Sequence, residues 1–219
     1  MYLSSFQFNP VRRGAQKLLS SPHALHAAVL AGFPDPSPST TGRVLWRLDN
    51  AAQVTKLYVV SPTRPDFTHL AEQAGWPSLD GSWGGSKPYA PVLDRIERGH
   101  RYAFRLTANP VRSERTVPGE RGKPRGHLTV AQQEKWLLDR AERAGFAIAG
   151  TSDLDRSLVV RDRKLLAFRR RETQVILRVV TYEGVLEVVD RDAFVSALSF
   201  GIGRAKGYGC GLLTIAAAR

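Results

Sequence analysis

The chain is poor in cysteine, in acidic residues and in long apolar runs. Cys210 is the only cysteine among 219 residues. One thiol excludes an intrachain disulfide and any multi-cysteine zinc site within one chain. No apolar run approaches the roughly 20 residues that span a bilayer, so no membrane partner is expected. The opening MYLSSFQFNPVRR has no basic segment followed by a long apolar stretch. It does not read as a secretory signal, and the expected compartment is the cytoplasm. Acidic residues number 20 against 32 lysines and arginines, a formal charge of +12. That surplus points to a polyanionic partner. It is not a basic tail, because residues 1–108 carry 12 basic and 7 acidic groups and residues 109–219 carry 20 and 13. At 42% hydrophobic the chain has material for a core, which excludes global disorder.

What the chain has instead is glycine near its end. Residues 201–215 read GIGRAKGYGCGLLTI, with Gly201, Gly203, Gly207, Gly209 and Gly211 interleaved with Arg204 and Lys206. Glycine permits positive φ and close backbone approach, and backbone N–H groups beside cations suit a phosphate. The spacing is neither GxGxxG nor GxxxxGK[ST], and too little chain follows for a βαβ unit. A polynucleotide backbone fits this run better than a mononucleotide does.

Residues 2–8 alternate as a strand, and Val11 to Leu19 is a short basic helix. Ser21 and Pro22 start a second helix that runs to about Phe33, with Leu25, Val29 and Phe33 as its buried stripe. Strands follow at 43–48, 56–60 and 100–107, while 61–98 resists assignment. Residues 109–128 read as a basic linker. Thr129 caps a helix to about Ala144, ended by Gly145. Strands are expected near 146–149, 157–160 and 165–170. A hairpin is expected from 174–182 and 185–189 around Glu183-Gly184, and Asp190 caps a last helix. The fold class is α+β: two tandem ferredoxin-like domains of β-α-β-β-α-β order, as in RNA-recognition motifs. The expected division is 1–108, a linker at 109–128, and 129–219.

Two constellations carry candidate chemistry. His23 and His26 lie three apart on the second helix, about 60° apart around its axis. Two imidazoles titrating near neutrality suit general acid–base work; a structural or surface role for each is the competing reading. Arg12, Arg13 and Lys17 precede them and are candidate phosphate ligands. The most basic stretch includes Arg161, Arg163, Lys164, Arg169, Arg170, Arg171 and Arg178 against few acids. Such arginines at a strand end suit phosphate contacts on RNA. Arg112 and Arg115, in the basic linker, join the candidate RNA ligands, as do Arg204 and Lys206.

The opening strand ending FNP, SPHALH, RVLWRLD (43–49), RLTANPVR (105–112), EKWLLDRAERAGF (134–146), YEGVLEVVD (182–190) and GIGRAKGYGCGLL carry a resemblance. In this order and spacing they resemble the CasE family of the RAMP superfamily, the CRISPR repeat-processing endoribonucleases of type I-E Cascade. The resemblance covers nearly the whole chain. It implies tandem ferredoxin-like domains and a metal-independent, cofactor-free nuclease. Such a nuclease binds the repeat hairpin of pre-crRNA, cuts at its 3′ base, and stays with the other type I-E Cascade subunits. By resemblance His26 is the catalytic residue. Some relatives have a tyrosine where His23 stands. Arg170, with Arg169 beside it, matches a basic cluster near the scissile phosphate. A non-catalytic RNA-binding scaffold of the same fold is the competing expectation.

Overall fold

A computed structural model describes residues 1–51, 54–77, 83–114, 123–150, 157–170 and 172–218. The first unit is β1 (Tyr2–Phe8), α1 (Arg13–Leu19), α2 (Pro22–Leu30), β2 (Leu45–Ala51), β3 (Val54–Ser61), α3 (Thr68–Ala74) and β4 (Gly84–Pro88). The short helix α4 (Ala90–Leu93) follows. Its sheet is antiparallel throughout, in the order β2-β3-β1-β4. This is the ferredoxin-like arrangement. Phe6 and Phe8 alternate into the core, with the exposed Gln7 between them. There they meet Leu25 and Val29 of α2 and Leu70 of α3.

The second unit is β5 (Arg101–Ala108), β6 (Val111–Glu114), β7 (Lys123–Gly126), α5 (Val130–Ala141), β8 (Phe146–Ile148), β9 (Leu158–Arg170), β10 (Thr173–Val188), α6 (Arg191–Phe200) and β11 (Leu213–Ala217). Its sheet runs β11-β5-β10-β8, and β9 also pairs with β10. Taking β8 and β9 as one interrupted strand, this is again the ferredoxin-like order. Trp136 of α5 stacks on Tyr182 of β10 at 6.1 Å, and the Tyr182 hydroxyl donates to the Gln133 carbonyl at 2.8 Å. A buried tyrosine must place its O–H in this way.

Three expectations change. The strand at 101–108 does not close the first sheet; it pairs with β10 and β11 in the second. The strand that does close the first sheet is β4, in the stretch that resisted assignment. Its GGSKP sequence carries no apolar alternation, and Pro88 sits at its end, on an edge where proline is tolerated. Glu183 and Gly184 form no turn: β10 continues through them, between Phe104 on one side and Leu158 on the other. Gly184 is there because a Cβ would strike the Ser157 carbonyl. The β9–β10 pairing instead begins with Arg170 opposite Thr173. The basic linker is partly ordered as well, since β6 and β7 pair as a small antiparallel sheet.

The units share packing. Leu45 and Val60 of the first sheet lie in the same buried cluster as Leu106, Phe194 and Leu212 of the second unit. Arg47 of β2, only 2% exposed, crosses to the second unit and donates to the carbonyls of Arg105 (2.9 Å) and Leu212 (3.3 Å).

Candidate active site and RNA interface

Local sequence signals place the histidines. Ser21 is extended and its hydroxyl accepts from the Ala24 N–H at 3.2 Å; Pro22 fills the first helical position. Leu25 and Val29 then fix which face of α2 is buried. His26 borders that face and is half-buried, while His23 is exposed. Both line a cleft of about 470 Å³. Its other walls are Arg43 and the glycine-rich run from Gly203 to Tyr208. The cleft is therefore built from both units. Among the described residues no carboxylate lines it.

His26 has a defined partner. Its Nδ1 accepts a hydrogen bond from the Trp46 indole N–H at 3.1 Å. The two ring planes lie 24° apart. The glycine-rich run rests on this pair. A Cβ on Gly207 would lie 3.1 Å from His26 Nε2, and one on Gly209, which sits at φ +78°, would lie 2.7 Å from the Trp46 ring. Glycine at these two positions is what lets the backbone seat there.

Cations surround the histidines. Arg204 is exposed, and Lys206 is half-buried with its Nζ donating to the Gly203 carbonyl. Burial, then the charge of Arg43, holds the Lys206 ammonium below its ordinary pKa. An arriving phosphate would reverse that, since an anion favours the charged form. Arg43 Nε is buried with no hydrogen-bond partner among the described residues. Tyr208, a cleft residue, meets Phe168 of β9 edge to face at 4.8 Å. That contact ties the arginine-bearing end of β9 to the cleft.

The other candidates divide. Arg13 and Lys17 are exposed on α1. Arg12 is not presented in the same way. Its guanidinium donates to the carbonyls of Ala71, Glu72 and Gly75 and closes the end of α3. Arg112 pairs with Glu114, as does Arg125 across the β6–β7 hairpin. Arg161 pairs with Glu183 at 3.4 Å and, with Lys164, lines a second cleft of about 390 Å³ that shares Tyr208 with the first. Arg163 donates to the Leu128 carbonyl, and Arg169 is exposed. Arg170 ends β9 opposite Thr173; its side chain, like Arg115 and Arg171, lies outside the described residues. Among the described residues no three His, Cys, Asp or Glu side chains cluster to hold a metal ion, and no helix is long and apolar enough to cross a membrane.

Sequence reasoning missed Trp46, Arg43 and Tyr208. A tryptophan in an apolar alternation reads as core, and at 2% exposure Trp46 is also core. Tyr208 stood inside the glycine run, where only the glycines and cations drew notice.

Fold and cleft together define a tandem ferredoxin-like protein with a histidine pair and a glycine-rich run at the junction of its units. Residues 1–217 match the family described as CRISPR associated protein, and the chain belongs to that family. It is a homologue of the CRISPR-associated endoribonuclease Cse3 of Thermus thermophilus, 28% identical over 223 residues, covering 99% of this chain and all of the relative. The structure of Thermus thermophilus Cse3 bound to an RNA representing a pre-cleavage complex superposes with a TM-score of 0.80 at 28% identity, over 98% of each chain. Cas6e of Escherichia coli shares the fold, at a TM-score of 0.66 and 21% identity over the whole of both chains.

Proposed function

We propose that this chain is a metal-independent endoribonuclease. It binds the stem-loop of CRISPR repeat RNA, cleaves pre-crRNA at the 3′ base of the hairpin, and keeps the product as a subunit of Cascade in the cytoplasm. One observation carries the reading: a histidine pair in a cleft walled by cations and glycines, with no carboxylate among the described residues that line it. The homologue's activity and its RNA complex support it.

RNA supplies its own nucleophile. The 2′-oxygen attacks the adjacent phosphorus in line, the O2′–P bond forms and the P–O5′ bond breaks. The products are a 2′,3′-cyclic phosphate and a free 5′-hydroxyl. One proton leaves the 2′-oxygen and one reaches the 5′-oxygen, so acid–base help is worth about 10²–10⁴-fold. In this reading His26 gives that help, and its Nε2 lies against the cleft residue Gly207; His23 lies one turn away. Arg170 and Arg169 at the end of β9, with Lys206 and Arg204, stabilise the charge that gathers on the phosphorane. In this reading the first unit ends before β5 and brings the histidines, and the second opens at β5 and brings the cations. The stem is read through shape and phosphates, because an A-form major groove hides its bases.

Incubation with repeat hairpin RNA in EDTA tests this. A discrete product with cyclic phosphate and 5′-hydroxyl ends is expected. One 2′-deoxy nucleotide before the cut should abolish cleavage and leave binding intact. Bound but uncut RNA would instead identify a scaffold, and cleavage of the deoxy substrate would overturn the proposed nucleophile.

A further inference from the structure

An indole N–H can only donate a hydrogen bond. The nitrogen that accepts it must therefore present a lone pair. At His26 that nitrogen is Nδ1, 3.1 Å from Trp46 Nε1. A neutral imidazole carries one proton, and the bond made by one ring nitrogen decides what the other presents. With Nδ1 occupied as acceptor, the proton of the neutral ring sits on Nε2, the nitrogen against Gly207 in the cleft wall. We propose that Trp46 is a positioning residue of the nuclease: its N–H fixes the tautomer and plane of His26, so that the ring meets the scissile phosphate as a hydrogen-bond donor at Nε2.

Three features hold this arrangement. Trp46 is 2% exposed on β2, so its indole has little room to turn. Gly209 lies against the far part of its ring, and Gly207 against the His26 ring. Both glycines belong to the second unit, so the second unit packs against both rings. Among the described residues, the charged and titratable groups lining the cleft with His26 are His23, Arg43, Arg204, Lys206 and Tyr208. All are donors when protonated, and the cations present no acceptor that competes with Nδ1 for the indole. Placing a proton on Nδ1 would set two N–H groups against each other, so the bond to Trp46 disfavours that form.

The inference rests on His26 being the group that serves cleavage, and its test separates the two. The full-length protein labelled with ¹⁵N-histidine is examined by NMR at a pH where the ring is neutral, with His26 assigned by its absence in His26→Ala. Wild type should show Nδ1 unprotonated and Nε2 protonated. Trp46→Phe, which keeps an aromatic ring and loses the N–H, should lose that preference. Its single-turnover rate on repeat hairpin RNA should fall about tenfold, the scale of one hydrogen bond, while RNA affinity stays within about twofold. A proton on Nδ1 in wild type overturns the inference even if the variant fails to fold. So does Trp46→Phe cleaving at the wild-type rate. Full activity in His26→Ala would sink the catalytic reading of His26 instead, and the NMR result would stand without it.

Discussion

Two of the places where the units meet differ in electrostatic character. At one, Arg47, Asp49, Arg105, Glu183 and Arg161 form a continuous chain of ion pairs across the junction. At the other, Arg43, Arg204, Lys206 and the histidines line a cleft with no carboxylate among the described residues. At the first site every cation has a carboxylate partner within the protein. Unbalanced charge at the second lowers the Lys206 pKa through burial and the nearby Arg43, which is a cost in the absence of an anion. Excess cation is therefore concentrated where a phosphate would relieve it, and neutralised where the units must simply stay together.

The sharpest way to break this contrast is to remove Arg47. Its side chain is buried, pairs with Asp49, and satisfies two carbonyls of the second unit. Arg47→Ala should lower unfolding stability by about 3–5 kcal/mol, the cost of stripping one partner from a buried pair, as read by urea denaturation. A loss under about 1 kcal/mol would reduce the network to surface decoration. At the cleft the largest effect should be kinetic. His26→Ala should slow single-turnover cleavage at least about 100-fold, with RNA affinity and melting temperature near wild type.

Asp49 supplies a pH test. Burial opposes its ionisation, but the hydrogen bonds and charges of Arg47 and Arg105 outweigh that and hold its carboxyl below the usual range. A carboxyl depressed on folding contributes stability that is complete above its unfolded pKa, about 4, and is lost as pH falls through the folded value. Wild type should exceed Asp49→Asn by about 1.5–3 kcal/mol at neutral pH, the range for charged hydrogen bonds. The gap should hold down to about pH 4 and close below it. A gap that is flat through that range would show that the carboxylate's charge is not what binds the units.

How much of this was legible in the sequence follows the range of each interaction. Ser21, Thr129 and Asp190 cap their helices as read, each side chain accepting from a backbone N–H three residues on. Gly145 stops its helix at φ +76°. These are contacts within one turn, and one turn of sequence contains them. The β-α-β-β-α-β order was readable twice, but strand 101–108 was given to the wrong sheet, because alternation shows that a strand exists and not which strand it pairs with. Gly184 was read as a turn on local chemistry, when its reason is the Ser157 backbone beside it. Arg12 was read as a phosphate ligand, and only the folded chain brings to it the carbonyls of Ala71 and Glu72 in α3 and of Gly75 just beyond it. The histidines were found because the Ser21 cap set their helix and Leu25 and Val29 set its face. Trp46 was not, since its bond to His26 spans a helix and a strand.

The smallest effect is the most selective. Arg204 is exposed on the cleft, and no ion pair of it is recorded among the described residues. Arg204→Ala should leave stability within about 0.5 kcal/mol, as for ordinary surface positions. If its guanidinium replaces a counterion on one RNA phosphate, affinity should weaken, and the slope of log affinity against log salt should become shallower by about one. Arg101 is the matched control: it is also exposed, but Glu187 pairs with it at 2.7 Å. Arg101→Ala should leave that slope unchanged. Equal slopes for both variants would mean that the protein senses RNA through its overall charge of +12 rather than through the acid-free cleft, and the contrast between the two junction sites would lose its functional meaning.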